Sequence, residues 1–466
     1  MKEIYRTFSL TLLMMFMYSL GGFAANGKVA YPGGKHSLVR VMLVDKRGTP
    51  YKLSKPEKYL SARAIERRQR QGISVDSTDL PISPVYLEQI RQQGFEIVCM
   101  SKWNNSLLVK SVRQDDVEKL QQLPCVAKAM KIFTVPDSIT LPKRSKLDKS
   151  EYEIDSVDNK EHGKAHQQID MMNGIRIHDA GFRGKGKLIA ILDGGFMNVD
   201  SISAFQSVEI IGTKDFSSPR STSVYSELDH GTMVLSTMAT NLPNIYVGTA
   251  PEASYLLIRS ETGVSESLAE EDYWASAAEY ADSVGADLIN SSLGYNTFDD
   301  KSTSHKYVDL DGKSSLISRT ASMLADKGMI LVNSAGNSGS GTWKKIGVPA
   351  DAFNILAVGA VTKSKINTVF SSVGPSADGR VKPDIMACGN ACSVIKGNGK
   401  IGTANGTSFA SPLVCGMVAC LWQALPHKTA FEIMDLVRSS AHQFETPDNI
   451  FGYGIPDFWK AYENGK

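Results

Sequence analysis

Apolar and polar positions follow two different rhythms along the chain, and the change between them falls near residue 165. Before it, short runs of period two stand between single helical stretches. Residues 38–44 read as a strand, Ser54 and Glu57 have the capping-box spacing for a helix running to residue 70, and a second helix follows Pro84. Strand-like runs recur at 96–100, 107–112 and 126–133, with a short helix at 115–120. Such a mixture, within about a hundred residues, suits a small independent α+β domain.

From residue 171 onward the strands are apolar throughout. They fall at 188–192, 255–258, 288–290, 329–332 and 355–358, among helices at 171–180, 267–284, 315–327, 408–422 and 429–439. Uninterrupted apolar strands separated by amphipathic helices predict an α/β fold, a doubly wound parallel sheet covered on both faces. In such sheets functional groups gather at the carboxyl ends of the strands. Between the two regions, residues 134–164 are rich in Pro, Ser, Asp and Lys and read as an exposed linker.

The N-terminus adds a further element. Lys2 and Arg6 precede an apolar stretch, 8–20, and Gly21, Gly22, Ala24 and Ala25 follow it. This is the grammar of a signal peptide cleaved near Ala24 or Ala25, and the stretch is short of the ~20 residues that span a bilayer. The expected organisation is a signal peptide at 1–25, a small α+β domain at 26–133, a linker at 134–164 and the large domain at 165–466. The mature protein is expected to be secreted or periplasmic, without a stable membrane anchor. Fifty-one basic against 49 acidic residues leave +2, too weak a field to argue for nucleic acid as a partner. Six cysteines are too few for a disulfide scaffold in a chain of 466 residues. Cys415 and Cys420 lie about 140° apart around a helix and do not face each other. Cys388 and Cys392 flank Gly389 in a loop, and their pairing stays open.

Three segments place polar groups where a purely structural sheet has no need of them. Residues 189–195 (IAILDGG) end a buried strand on Asp193, residues 229–232 (DHGT) present His230 ahead of an apolar helix, and residues 406–412 (GTSFASP) lead Ser408 into another. Singly, each has an ordinary structural reading: a turn aspartate, a core histidine, an N-cap serine. Together they supply the hydroxyl, the imidazole that takes its proton and the carboxylate that orients the imidazole. Their order, Asp then His then Ser, differs from that of α/β-hydrolases and of chymotrypsin-like enzymes.

That order and those motifs, from about residue 165 to 462, resemble the subtilisin-like serine peptidases. The resemblance implies that Asp193, His230 and Ser408 form a catalytic triad and that Asn337, in residues 333–337 (NSAGN), supplies an oxyanion-hole amide. It also implies that Ser292, Leu293 and Gly294 form the strand edge on which substrate main chain lies. Gly194 departs from the family's usual Ser or Thr, and Met233 from its frequent second His. Residues 35–133 resemble the family's propeptide domain by element order. The expected function is that of a serine endopeptidase acting on proteins or peptides through an acyl-enzyme on Ser408. It is made as a zymogen that processes itself in the linker, with its own propeptide as intramolecular inhibitor. The competing expectation is a catalytically silent binding protein on the same fold. Family members often carry calcium, yet no acidic loop has EF-hand spacing, so no metal or other cofactor is assigned.

Overall fold

The computed structural model describes residues 28–31, 34–140, 145–148, 160–218 and 223–466; the expected signal peptide lies outside them. The first sheet is antiparallel and four-stranded, built from β1 (Ser37–Leu43), β2 (Glu96–Ser101), β3 (Ser106–Ser111) and β4 (Val126–Thr134) in the spatial order β2-β3-β1-β4. Period two gives β1 two faces. Val39, Val41 and Leu43 enter the small domain's own core with Ile90, Leu107 and Val109. Leu38 joins a different core, shared with the large domain. Helix α1 (Ala62–Arg70) begins later than the Ser54 and Glu57 spacing suggests. Pro56 starts only a single 3-10 turn, and the N-cap is Ser61, whose Oγ accepts from Ala64 N–H at 3.1 Å. Docking sets this start: Ser61 N–H donates to Ser283 O at 3.0 Å and its hydroxyl to Val284 O at 2.8 Å.

The large domain is a seven-stranded parallel sheet. Its strands are β5 (Leu188–Asp193), β6 (Glu209–Asp215), β7 (Ser254–Arg259), β8 (Leu288–Ser291), β9 (Ile330–Ser334), β10 (Leu356–Val361) and β11 (Ile385–Cys388), in the order β11-β10-β9-β8-β5-β7-β6. All of β5 is buried. Its flanks are β7 on one side and β8 on the other, so the strand order reverses at β5. That is the topological switch point at which α/β sheets place their sites. Three helices matter to the site: α2 (His230–Ala239), α3 (Ala269–Val284) and α4 (Thr407–Ala424). Helix α4 is long and apolar enough to cross a membrane, but 89% of it is buried inside the fold. The single helix expected at 171–180 is two, His166–Asp170 and Gly174–Asp179, because Asn173 between them is left-handed at φ 53°.

The two domains meet on α3, and the contact is ionic as well as apolar. Arg40 forks onto Asp272 through Nε at 2.9 Å and Nη2 at 2.6 Å. Arg67, fully buried, pairs with Asp282, which also takes Arg68 at 3.0 Å. Glu279 accepts the Ser101 hydroxyl and the N–H groups of Lys102 at 2.7 Å and Trp103 at 3.1 Å. The linker is not structureless where it is described. Its strand Ser138–Thr140 pairs with Lys28–Ala30, and Asp148 is tied to the large domain through Asn398 O and Lys400. All six cysteines are buried free thiols, Cys388 and Cys392 included.

Removing one side of a buried pair leaves the other charge uncompensated, at a cost of about 3–5 kcal/mol. Asp282→Ala, which leaves the buried Arg67 without its carboxylate, is therefore expected to destabilise the intact chain by that order, measured as a lowered urea midpoint, and Arg67→Ala by less, because Asp282 keeps Arg68. Midpoints unchanged in both would mean that this pair adds nothing to the joint between the domains.

Candidate active site

Three distant segments converge at the carboxyl edge of the sheet. Asp193 is the last residue of β5, wholly buried. His230 opens α2, and its Nδ1 lies 2.9 and 3.0 Å from the two Asp193 carboxylate oxygens. The other face of the imidazole is open enough to leave the side chain 34% exposed. Phe409, the residue after Ser408, brings its ring centroid to 5.7 Å from that of His230.

Ser408 lies in the first turn of α4, and the way it is held follows from a proline. In a regular helix the carbonyl of Ser408 would receive the N–H of residue 412. Pro412 has none to give. The hydroxyl of Ser292, just past β8, supplies the missing donor at 2.8 Å. In return, Ser408 Oγ donates to the Ser292 carbonyl at 3.3 Å. Asn290 steadies the arrangement, its amide nitrogen reaching Ser292 Oγ at 3.1 Å and its oxygen accepting from Ser411 at 2.9 Å. Among the described residues no hydrogen bond joins Ser408 Oγ to His230. Of the expected strand edge, Ser292 and Leu293 are buried and Gly294 is exposed, so Ser292 serves the Ser408 backbone with its side chain.

Asn337 is exposed and oriented by Thr407, whose N–H and Oγ1 donate to its amide oxygen at 2.9 and 3.0 Å. With the oxygen occupied, the NH₂ group is left as a donor. The two departures from the family pattern now have physical settings. A side chain on Gly194 would begin 2.9 Å from Leu228 Cδ1 and 3.2 Å from Glu261 Oε2, so neighbours already fill that space. Met233 packs against the core instead of facing the site.

Glu261 was not legible as a site residue. Nor were Glu266 and Glu270, although their ligand oxygens and that of Glu261 all lie within 4.8 Å of one another. The four-residue spacing of Glu266 and Glu270 was the available signal, masked by an ordinary reading: acidic residues favour the first turn of a helix such as α3. Burial disfavours a charged His230, yet the charge and hydrogen bond of Asp193, with Glu261 and Asp229 behind, outweigh it and hold the imidazole at about 9. Burial and the charge of Asp193 push Glu261 up to about 7.

Comparison with known proteins gives the family. Residues 184–454 match the Subtilase family model, and residues 38–151 match that of the Peptidase S8 propeptide domain of Bacteroidota. The chain belongs to the subtilase family and is a subtilisin-like serine endopeptidase with its propeptide domain. Among its relatives are Subtilisin NAT of Bacillus subtilis subsp. natto and Subtilisin E of Bacillus subtilis strain 168. Each is 31% identical over 291 residues, spanning 61% of this chain and 68% of the relative. The fold also resembles the epidermin leader peptide processing serine protease of Staphylococcus aureus, with a TM-score of 0.62 and 16% identity. That match covers 92% of this chain and 98% of the other.

Because the His230 value lies above the ordinary 6.5, its pairing with Asp193 stabilises the fold fully below pH 6.5, a contribution lost as pH rises through about 9. NMR of the ring protons is expected to show His230 titrating near pH 9, and lower in Glu261→Gln, which deletes one of the supporting charges. A curve unmoved by that substitution would remove Glu261 from the electrostatics of the pair.

Proposed function

We propose that this chain is an exported zymogen whose peptidase forms an acyl-enzyme on Ser408 and cuts its own linker, 134–164, on maturation. The observation that carries the reading is the meeting of β5, α2 and the start of α4, which sets Asp193, His230 and Ser408 around one edge of the sheet. The apolar segment 8–20 behind Lys2 and Arg6 supports export.

In this reading Ser408 Oγ turns from the Ser292 carbonyl to His230 Nε2 and attacks the scissile carbonyl as the neutral imidazole takes its proton. Asp193 fixes the tautomer by accepting from Nδ1–H and stabilises the imidazolium. His230 then gives the proton to the leaving amine, and a water activated in the same way releases the acyl group. The tetrahedral oxyanion is held by the Asn337 amide and the Ser408 N–H, the latter at the positive end of α4. Gly294 and the main chain of its neighbours receive the extended substrate. The small domain, fixed to α3 by buried ion pairs, stands as the inhibitor until the linker is severed.

A fluorophosphonate probe is expected to label the wild-type enzyme and not Ser408→Ala. The variant is also expected to keep an intact linker where the wild type loses it. Identical N-termini in the two proteins would end the self-processing part of the reading. Asn337→Ala is expected to lower kcat by about 10² to 10³ with KM little changed. That range is the one known for the oxyanion-hole asparagine of a subtilisin, not one obtained from this geometry.

A further inference from the structure

Beside the catalytic pair lies a group of charges that the reaction above does not use. Glu261 follows β7, Glu270 belongs to the first turn of α3, and Glu266 lies on the segment between them. No lysine or arginine forms an ion pair with any of the three among the described residues. Arg259, close by, is committed to Asp215 at 3.2 Å and Glu227 at 2.6 Å. Glu270 is wholly buried, and its Oε2 has no hydrogen-bond partner. Its Oε1 is reached only by Thr262, at 3.4 Å.

A second observation, independent of the carboxylates, points to a missing occupant. The Tyr295 hydroxyl is also buried without a partner, in a residue only 2% exposed. Burial first, and then the charges of Glu270, Glu261 and Glu266, raise its pKa well above the ordinary value, so all three carboxylates act on this hydroxyl. Buried polar groups in folded proteins are satisfied as a rule. Here a phenol and a carboxylate oxygen both lack a partner next to carboxylates that have no counter-ion.

We propose that Glu261, Glu266 and Glu270, backed by Tyr295, form a subsite for a lysine or arginine side chain of a bound peptide, so that this peptidase selects substrates carrying a cation close to the scissile bond. The proposal rests on the reading that Asp193, His230 and Ser408 cleave peptides. Oxygens no more than 4.8 Å apart can share one donor at about 2.8 Å from each, the length of a charge-assisted N–H···O bond. A calcium ion, which binds oxygens at about 2.3–2.6 Å, is the competing occupant that the experiment below separates. Glu261 and Glu266 are only partly buried, so the cradle is open on one side. Glu261 also stands near enough to His230 and Asp193 for each to act on its charge, which puts the cradle within a few residues' reach of the bond being cut.

The chain's own linker carries the matching chemistry, Lys143 and Arg144, directly ahead of Ser145. Ser145 is held on the catalytic side of the large domain. Its N–H lies 3.0 Å from Met197 Sδ, and its carbonyl accepts from Asn198 Nδ2 at 3.0 Å, both in the loop that follows Asp193.

The test uses the processed enzyme and peptides in which lysine and its neutral isostere norleucine are exchanged at each position on both sides of the scissile bond. Rates are normalised to fluorophosphonate labelling, so that a misfolded variant is not counted and a failure of the catalytic reading shows separately as no labelling. At one position lysine is expected to raise kcat/KM at least about tenfold over norleucine. In Glu266→Gln and Glu270→Gln that ratio is expected to fall towards one. A labelled enzyme with no cationic preference at any position overturns the proposal, as does a preference that both variants retain. Calcium that raises the Tm of the wild type but of neither variant, with no lysine preference, would make the cradle a metal site instead.

Discussion

Ser408 is held where it is because a helix cannot satisfy one of its own carbonyls. Pro412 removes the donor that Ser408 O would receive inside α4, and Ser292 replaces it from the end of β8. A neutral hydrogen bond of this kind contributes about 1 kcal/mol net, but leaving a buried carbonyl unpaired costs about 1–3 kcal/mol. The pairing of α4 with β8 is thus specified more sharply than apolar packing alone would manage. The next links follow from it. Asn290 on β8 grips both Ser292 and Ser411, and Thr407, one residue before Ser408, orients Asn337. The placing of the Asn337 amide and of the Ser408 hydroxyl, the proposed oxyanion donor and nucleophile, is one problem solved once.

The electrostatics around His230 depend on a second constraint, the crowding of carboxylates at the switch point. Asp193, Asp229 and Glu261 all favour the imidazolium, and Glu261 is itself discouraged from ionising by Asp193. The absence of a side chain on Gly194 belongs to the same economy of space, since Glu261 Oε2 comes within 3.2 Å of where one would start. What reads in the sequence as the loss of a hydroxyl beside Asp193 is, in three dimensions, the entry of a carboxylate from just past the neighbouring strand β7.

Much of this was legible in the sequence, and the limits have physical causes. The strands β5, β7, β8, β9 and β10 announce themselves because burial on both faces gives each an unbroken apolar run, with its polar residues at the ends. The edge strand β6, EIIGTKD, has only two large apolar residues and none of its residues buried, and it was missed, as was β11 between Pro383 and Gly389. The helix boundaries at Ser61 and Asn173 were decided by partners far away, Ser283 and Val284 for the first and Asp457 for the second. The residues proposed for the triad and Asn337 could be named because their motifs are local. Glu261, Glu266 and the hydroxyl of Tyr295 could not, because their juxtaposition exists only once β7, β8 and α3 have been laid side by side.

The surface on which the small domain sits has to serve two lives. Along α3 run Glu270, Glu271, Asp272, Glu279 and Asp282, with no lysine or arginine among the helix's sixteen residues. While the domains are joined, arginines neutralise much of that row. If the covering piece departs as the proposed maturation has it, Asp272, Glu279 and Asp282 are free to take up water, where a wholly greasy footprint of the same size would invite clumping. An interface that sets ionic bonds among its apolar contacts leaves less bare grease behind when it is abandoned.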